Sequence, residues 1–599
     1  MLGIYFTNIG NVESINRKIK NFSSVTYKAL NSEVLLIYKN YRKDEVFYCI
    51  DDEWLVVDGA LYQNDKELTA KVLFHEIKSG QKLDFESLNG EFFISYFIGG
   101  NLKFVNDRMG QRQHCIIEKE KLVSIAPTPG AALRLSNLPK VINKEALYFF
   151  INSKKLRLNR DTIWQGCKVI EPATLITFQT TGLEKVIYWQ LLYSPKNENV
   201  SIDELVNIYK KAVNLRVDNK YKKALTLTGG LDSRTMLCAI DEDNLKGIEA
   251  ITSGMEGCTE VKYAKEVAES VGLPHNPFSL SPEDIFSEKA LEYFEDEDID
   301  LVIQSQWYPF LDNMENKDLL LHGLDLDVTI GGIYLTDSLC KLKTKEELSK
   351  FINRESFINL QDTQQLFSKE KIEKYHHIVE EAVDKILLEC PQENIQEKYD
   401  YFILMHSMNR VILQRYRAIR NKLDTVSPMY DIELMNFYLK VPINQRSNYK
   451  LFHPFMKQVC GSEASIRYQR TNLPADVPVS FWAKSQFIEK QKEELYREIA
   501  KETNGESFVH YNGYYTNVDE WLRFNESWKN AMIELLQSDN SIIVKEWLDK
   551  DYINQIVTEH LEHEKSHMSS LMRLMSAEIF LRIGEGWTIK EISNVLRIN

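Results

Sequence analysis

Ala224-Leu-Thr-Leu-Thr-Gly-Gly-Leu-Asp-Ser-Arg234 constrains the fold of this chain more than any other stretch. Its first residues alternate toward β-branched types and predict a short buried strand. Gly229 and Gly230 then break the strand, and Leu231 to Ile240 reads as the opening turns of a helix. A Gly-Gly turn between strand and helix lets backbone amides crowd round an anion, and the helix N-terminus adds partial positive charge. Asp232 would repel a phosphate directly; a carboxylate beside phosphates holds Mg2+. The stretch therefore points to a nucleotide pyrophosphate with a metal. No lysine follows the glycines, which excludes the Gly-x-x-x-x-Gly-Lys-Ser/Thr loop. Taken alone, the same residues also fit an ordinary tight turn with a capping aspartate, so the surroundings have to decide.

Those surroundings repeat the strand–helix alternation. Ile248 to Thr252 reads as a second strand ending at Ser253-Gly254. A helix follows over Thr259 to Val271, with Val261, Ala264, Ala268 and Val271 on one face, stopped by Gly272 and Pro274. This order predicts a parallel sheet with ligand sites at the strand C-termini. Upstream, Ser201-Ile-Asp-Glu204 has capping-box spacing and opens a helix to about Asp218. The first part of the chain differs in kind. Short strands are expected at Gly3–Phe6, Val34–Tyr38, Val46–Ile50, Trp54–Val57, Gly90–Ile98, Leu102–Asn106, Cys115–Ile117 and Leu122–Ile125, with a helix over Leu68–Ser79. That pattern is a mixed α+β layer structure with antiparallel pairing. From Ser480 onward the pattern is helical, with Trp521, Trp528 and Trp547 as packing residues. His560, His563 and His567 there read as a solvated helix face rather than a zinc site, because no third ligand is spaced to join them.

A chain of 599 residues exceeds one core, so two or more domains are expected. Its 44% apolar and 27% charged residues are those of a soluble globular protein, and a net charge of −14 argues against nucleic acid as a partner. No run is long enough to span a bilayer, and Thr7-Asn8 cuts short any secretory signal at Leu2–Phe6. The eight cysteines are scattered without a Cys-x-x-Cys pair, so no disulfide framework is expected and a cytoplasmic location is the simple inference.

The Ala224–Arg234 stretch resembles the pyrophosphate loop of the ATP-pyrophosphatase enzymes, which split ATP to AMP and pyrophosphate. A second landmark, Leu319-Leu-Leu-His-Gly-Leu-Asp-Leu-Asp-Val-Thr-Ile-Gly-Gly-Ile-Tyr334, resembles the Ser-Gly-Glu-Gly-Ala-Asp-Glu-Leu-Phe-Gly-Gly-Tyr motif of asparagine synthetases. Gly323, Asp327, Gly331 and Gly332 fall on matching positions. Leu88–Ile94, Asn106–Gly110, Trp164–Gly166, Pro172–Phe178 and Tyr188-Trp189 are similar to successive landmarks of that family's glutamine amidotransferase domain. The resemblance implies two domains: residues 1–192, an Ntn-type α+β sandwich, and residues 200–599, a doubly wound parallel sheet of the adenine nucleotide α-hydrolase type with a helical C-terminal region. Tyr193–Asn199 would link them. It also implies ATP contacts from Leu227, Thr228, Gly229, Gly230, Leu231, Asp232 and Ser233, from Ile251, Thr252 and Ser253 at the adenine, and from Gly323. Asp232 and Asp327 would share Mg2+ across the pyrophosphate.

The departures from the family pattern carry as much information. Leucine at position 2 stands where the glutaminase cysteine belongs, the His-Arg-Gly-Pro-Asp motif is absent, and the Asn-Gly-Glu loop is Asp58-Gly59-Ala60. The glutaminase is therefore expected to be inactive. Leu324 replaces a glutamate on the acceptor side, and Arg467-Tyr-Gln-Arg470 has no lysine where the family's Arg-x-Lys motif lies. Arg470 is the candidate for the positive charge on the phosphates, and Arg234 is a second candidate. The implied activity is adenylation of a small-molecule or peptide carboxylate, then attack by an amine, as in β-lactam synthetases and lasso-peptide macrocyclases with inactive glutaminase domains. An ammonia-dependent asparagine synthetase and an inactive ATP-binding scaffold protein are the alternatives. A homodimer or partner biosynthetic enzymes are the expected company, without nucleic acid or membrane.

Overall fold

The structure, a computed structural model, describes all residues except 9–11, 13–21, 81–83, 155, 180–181, 196–199, 218–219, 299–310, 315, 504–512, 514 and 599. The first part of the chain builds two stacked antiparallel sheets. One has six strands, in the order Cys167–Val169, Cys115–Lys119, Leu122–Ala126, Gly3–Thr7, Ser32–Lys39 and Phe22–Ala29. The other is built on the long pair Glu53–Gln63 and Asn89–Ile98 and extends through Asn101–Asn106 to a hairpin at Thr174–Gln179 and Gly182–Ile187. Ile4 and Phe6 from the first sheet meet Val56, Phe93, Phe104 and Phe178 from the second, with Phe6 edge-on to Phe104 at 5.0 Å. Helix Ala70–Lys78 covers the outer face of the second sheet through Leu73 and Phe74. Helix Pro129–Ser136 covers the first. The result is the helix–sheet–sheet–helix sandwich expected of this part. The edge strand Phe22–Ala29 was not anticipated, because most of its residues are half-exposed on both faces and leave no alternation to read.

The second sheet system is parallel. Its order is His275–Ser279, Ile248–Gly254, Lys223–Thr226, Leu319–Leu321, Asp424–Val426, so the chain winds outward in both directions from the central Lys223–Thr226. Helix Thr259–Ser270 buries Tyr263, Ala264, Val267 and Ala268. Val261 and Val271, expected on that face, lie at its margins. The Ser201 hydroxyl caps helix Ile202–Leu215 by accepting the Glu204 amide at 3.2 Å. That helix stops short of Asp218, which lies outside the described residues, as does most of the 193–199 linker.

Beyond residue 479 the regular elements among the described residues are helices, and Trp528 and Trp547 are fully buried. The three histidines do not form a solvated face. Helix Lys550–Leu561 ends before His563, which takes φ +58°, and each ring meets a carboxylate: Asp519 at 3.8 Å, Glu520 at 3.1 Å and Glu559 at 2.6 Å respectively.

The sandwich and the parallel sheet meet through buried ion pairs. Arg42 Nη1 donates to Asp424 Oδ2 at 3.0 Å, and Arg112 pairs with the same carboxylate. Asp58 accepts Arg420 Nη1 at 3.0 Å, and the Leu2 amide donates to the Arg420 carbonyl at 3.0 Å. Arg420 follows helix Leu413–Ile419, which continues a π-helical run over Ile403–Ile412.

Candidate active site at the switch of the parallel sheet

Winding reverses between Lys223–Thr226 and Leu319–Leu321, and in open α/β sheets this is where ligands bind. Both strands leave the sheet there in a turn that carries a carboxylate. The first turn is tied to its neighbour: the Leu227 amide donates to the Ile251 carbonyl at 2.9 Å, and Thr252 Oγ1 to the Leu227 carbonyl at 2.6 Å. It is also closed on itself, with the Thr228 amide on Ser233 Oγ at 2.9 Å and the Gly230 amide on Thr228 Oγ1 at 3.1 Å. Two of the amides expected to cradle an anion are thus engaged inside the loop. Gly229 permits a close approach, since a Cβ there would lie 2.9 Å from the Cβ of Gln469 and 3.3 Å from the Cα of Glu260.

Gly323 does the same for the second turn. A Cβ on it would come within 2.9 Å of the Asp232 carbonyl oxygen, so only glycine lets the two turns touch. Asp232 opens helix Asp232–Cys238, three residues shorter than the Leu231–Ile240 span the sequence suggested, and Asp327 lies in the short helix Leu326–Thr329. Their carboxyl groups meet. Burial, then Asp327, pushes the Asp232 carboxyl well above the usual carboxylate range. Burial raises Asp327 as well, against the pull of Arg470.

Arg470 reaches the pair from the turn after Arg467–Tyr468. The field of Tyr468, Asp327, Tyr449 and Asp232 holds its guanidinium charged. Glu260, on the first turn of helix Thr259–Ser270, is pushed up to about 7 by burial while Arg470 draws it down. Arg234, the other arginine the sequence offered for the phosphates, points elsewhere. It is fully buried and donates to the carbonyls of Ile466 at 2.7 Å and Arg467 at 2.6 Å, so it braces the turn that delivers Arg470.

Two ionised carboxylates in contact repel each other unless positive charge lies beside them. Among the described residues no third His, Cys, Asp or Glu completes a metal cage. A pair of hard oxygen donors without a cage suits Mg2+, which keeps several positions for phosphate oxygens and water.

Of the other residues singled out, Ile251 and Thr252 are buried, the Thr252 hydroxyl being shared with the Leu227 carbonyl and His275 Nε2. Ser253 is partly exposed at the same strand end. Sequence reasoning missed Glu260, Tyr449 and Tyr468, since a glutamate in a helix's first turn and tyrosines in turns carry no signature. It also missed Asp325 as more than a turn residue. Asp325 is buried, and its Oδ2 accepts the Tyr430 hydroxyl at 2.7 Å.

A carboxylate pair at the switch point of a parallel sheet, joined to a helix–sheet–sheet–helix sandwich, defines the α/β architecture of this chain. Residues 205–582 match the asparagine synthase family, and the chain belongs to it. It is 25% identical over 283 residues to an asparagine synthetase (glutamine-hydrolyzing) of Asparagus officinalis. The match spans 43% of this chain and 43% of that protein, less than half of the relative's length. Two solved structures are similar at 8% identity and a TM-score of 0.22, a likeness too slight to argue from. One is a glutamine phosphoribosylpyrophosphate amidotransferase from B. subtilis complexed with ADP and GMP, with 46% of this chain and 65% of that one covered. The other is described as the allosteric regulatory enzyme of purine biosynthesis, with 47% and 82% covered. No helix among the described residues is long and apolar enough to cross a membrane.

Proposed function

We propose that this chain is an ATP-dependent amide synthetase that adenylates a carboxylate, releases pyrophosphate and passes the acyl group to an amine. The observation that carries the reading is the contact of Asp232 with Asp327 at the switch point, with Arg470 beside them. Asp232 and Asp327 would hold Mg2+, which when bound neutralises charge on the leaving pyrophosphate. Arg470 binds phosphate oxygens from the other side; an arginine stays protonated, so it stabilises charge and does not donate a proton. Ser253 and the end of its strand border the place for the adenine.

The amine does not come from glutamine in this reading. The strand position before Gly3 is Leu2, whose amide is bonded to the Arg420 carbonyl, and Asp58 is engaged by Arg420 and Arg112. Arg420, from the parallel-sheet half, thus engages both Leu2 and Asp58, two of the positions where glutaminase chemistry would sit. An amine tethered beside the acyl-AMP gains effective molarity beyond any cellular ammonia concentration. Leu324 and Arg470, which depart from the family pattern, lie on the acceptor side, so the favoured nucleophile is an organic amine within the activated substrate and the product a ring or substituted amide.

Two assays test this. Glutamine with or without ATP should yield no glutamate above background. Aspartate, ATP and ammonium across a range of pH should yield no efficient asparagine formation. Asparagine at millimolar ammonium and neutral pH would replace the reading with an ammonia-dependent synthetase.

A further inference from the structure

Asp325 stands where the motif that residues 322–333 resemble has a glycine, and its backbone keeps a glycine's conformation, with φ 78° and ψ 7°. A residue with a Cβ is strained in that left-handed region and stays there only where its surroundings over-determine it. Three bonds hold Asp325. The Thr329 amide and hydroxyl both donate to its carbonyl at 2.9 Å, and the Tyr430 hydroxyl donates to its Oδ2 at 2.7 Å. A glycine would accept the first two equally well. The third exists only because the side chain is an aspartate, and both partners are buried.

Tyr430 belongs to the segment after strand Asp424–Val426, and that segment is gripped from the sandwich. Glu91 accepts the Ser427 amide. Asn89 accepts the Ile432 amide at 3.2 Å and donates to Asp431 Oδ2 at 2.7 Å, while Arg112 Nη2 donates to the Thr425 carbonyl at 3.1 Å. Asn89 and Glu91 lie on one strand, Asn89–Ile98, at the heart of the second antiparallel sheet.

We propose that the Tyr430–Asp325 bond, held in place by Asn89 and Glu91, is the positioning device for the turn that carries Asp327. The amidotransferase-like half then serves the synthetase centre as its back wall, with no chemistry of its own. This rests on the reading of Asp232 and Asp327 as the Mg·ATP site.

The test is ATP binding to the full chain by calorimetry as a function of Mg2+ concentration, with thermal melts alongside. Tyr430→Phe and Glu91→Ala should each raise the Mg2+ concentration for half-maximal ATP binding by about tenfold, the loss of one hydrogen bond to a charged group. Glu91→Gln keeps an acceptor oxygen for Ser427 and should stay near the parent. Asp325→Gly should rescue Tyr430→Phe, because glycine takes the left-handed conformation unaided. A tyrosine that only fills space would lower stability and leave the Mg2+ midpoint unmoved. Unchanged midpoints in both variants, or no rescue by Asp325→Gly, overturn the inference and leave the proposed function standing. A parent chain that binds no ATP at any Mg2+ concentration overturns that function, and the inference with it.

Discussion

Asp232 and Asp327 come from two separate turns and meet at the switch point, where the proposed function places Mg2+. Asp232→Asn and Asp327→Asn should each lower ATP–pyrophosphate exchange on the order of 10²-fold or more while leaving the fold intact. Near-normal exchange in either variant would remove that residue from the site. His114 makes a second prediction at this scale, about pH. Its Nδ1 lies 2.9 Å from the Arg112 carbonyl and its Nε2 accepts the Ile4 amide at 3.3 Å, which fixes a neutral tautomer. Burial, and then Arg420 close by, depresses its pKa well below the ordinary value. A folded state that refuses a proton the unfolded chain accepts loses stability as pH falls below the unfolded value. Each unit below about pH 6.5 should therefore cost about 1.4 kcal/mol from this group. Urea unfolding of the parent and His114→Gln between pH 5 and 8 isolates the effect; parallel pH profiles would refute it. At the residue scale the carboxylate pair was legible through the resemblance of residues 322–333 to the family motif. The separate fates of Arg234 and Arg470 were not, because only packing decides which arginine approaches the carboxylate pair and which is spent on backbone carbonyls.

Elements, rather than single residues, decide how Arg470 arrives. The turn over 463–470 has little regular structure of its own, and Arg234 holds it by donating to two of its carbonyls. Arg234→Met should cost roughly 2–4 kcal/mol, since it leaves buried carbonyls without their charged donor. It should also lower pyrophosphate exchange to the level of Arg470→Ala. Loss of stability with full exchange would show that the turn keeps its place without the pin. The π-helical run Ile403–Ile412 works by a similar logic, since its wider turns rotate the faces of the helix that follows. That helix and the residue after it deliver Arg417 to Glu297 at 2.6 Å and Arg420 to Asp58 at 3.0 Å. Nothing in Ile403-Leu-Met-His-Ser-Met408 announces a π-helix, because its residues suit an ordinary helix as well. The strands and the helix of the sandwich were readable where alternation or a 3.6-residue face was strong, and unreadable at the half-exposed edge Phe22–Ala29.

The two halves of the molecule are joined by charges taken out of water. Asp424 lies between Arg42 and Arg112, and this surrounding positive charge holds its carboxyl far below the usual range despite burial. Removing one partner strands the other. Arg112→Met should destabilise the chain by about 3–5 kcal/mol, and Asp424→Asn should do so comparably. The double variant should be less destabilised than the sum of the two, which chemical denaturation of all three measures directly. Strict additivity would mean that the pair contributes nothing as a pair. The sequence by itself determined the order of the clear strands and helices and the Gly229–Asp232 turn, because these follow from local periodicity and glycine breaks, while the resemblance to a family motif pointed to the turn that carries Asp327. Only the tertiary structure decided that Arg420 sits on Asp58, that Tyr430 bonds Asp325 and that Arg234 turns its back on the site. Those partners are separated by 105 to 362 positions along the chain, and no local preference encodes a contact that forms only when two distant segments are desolvated together.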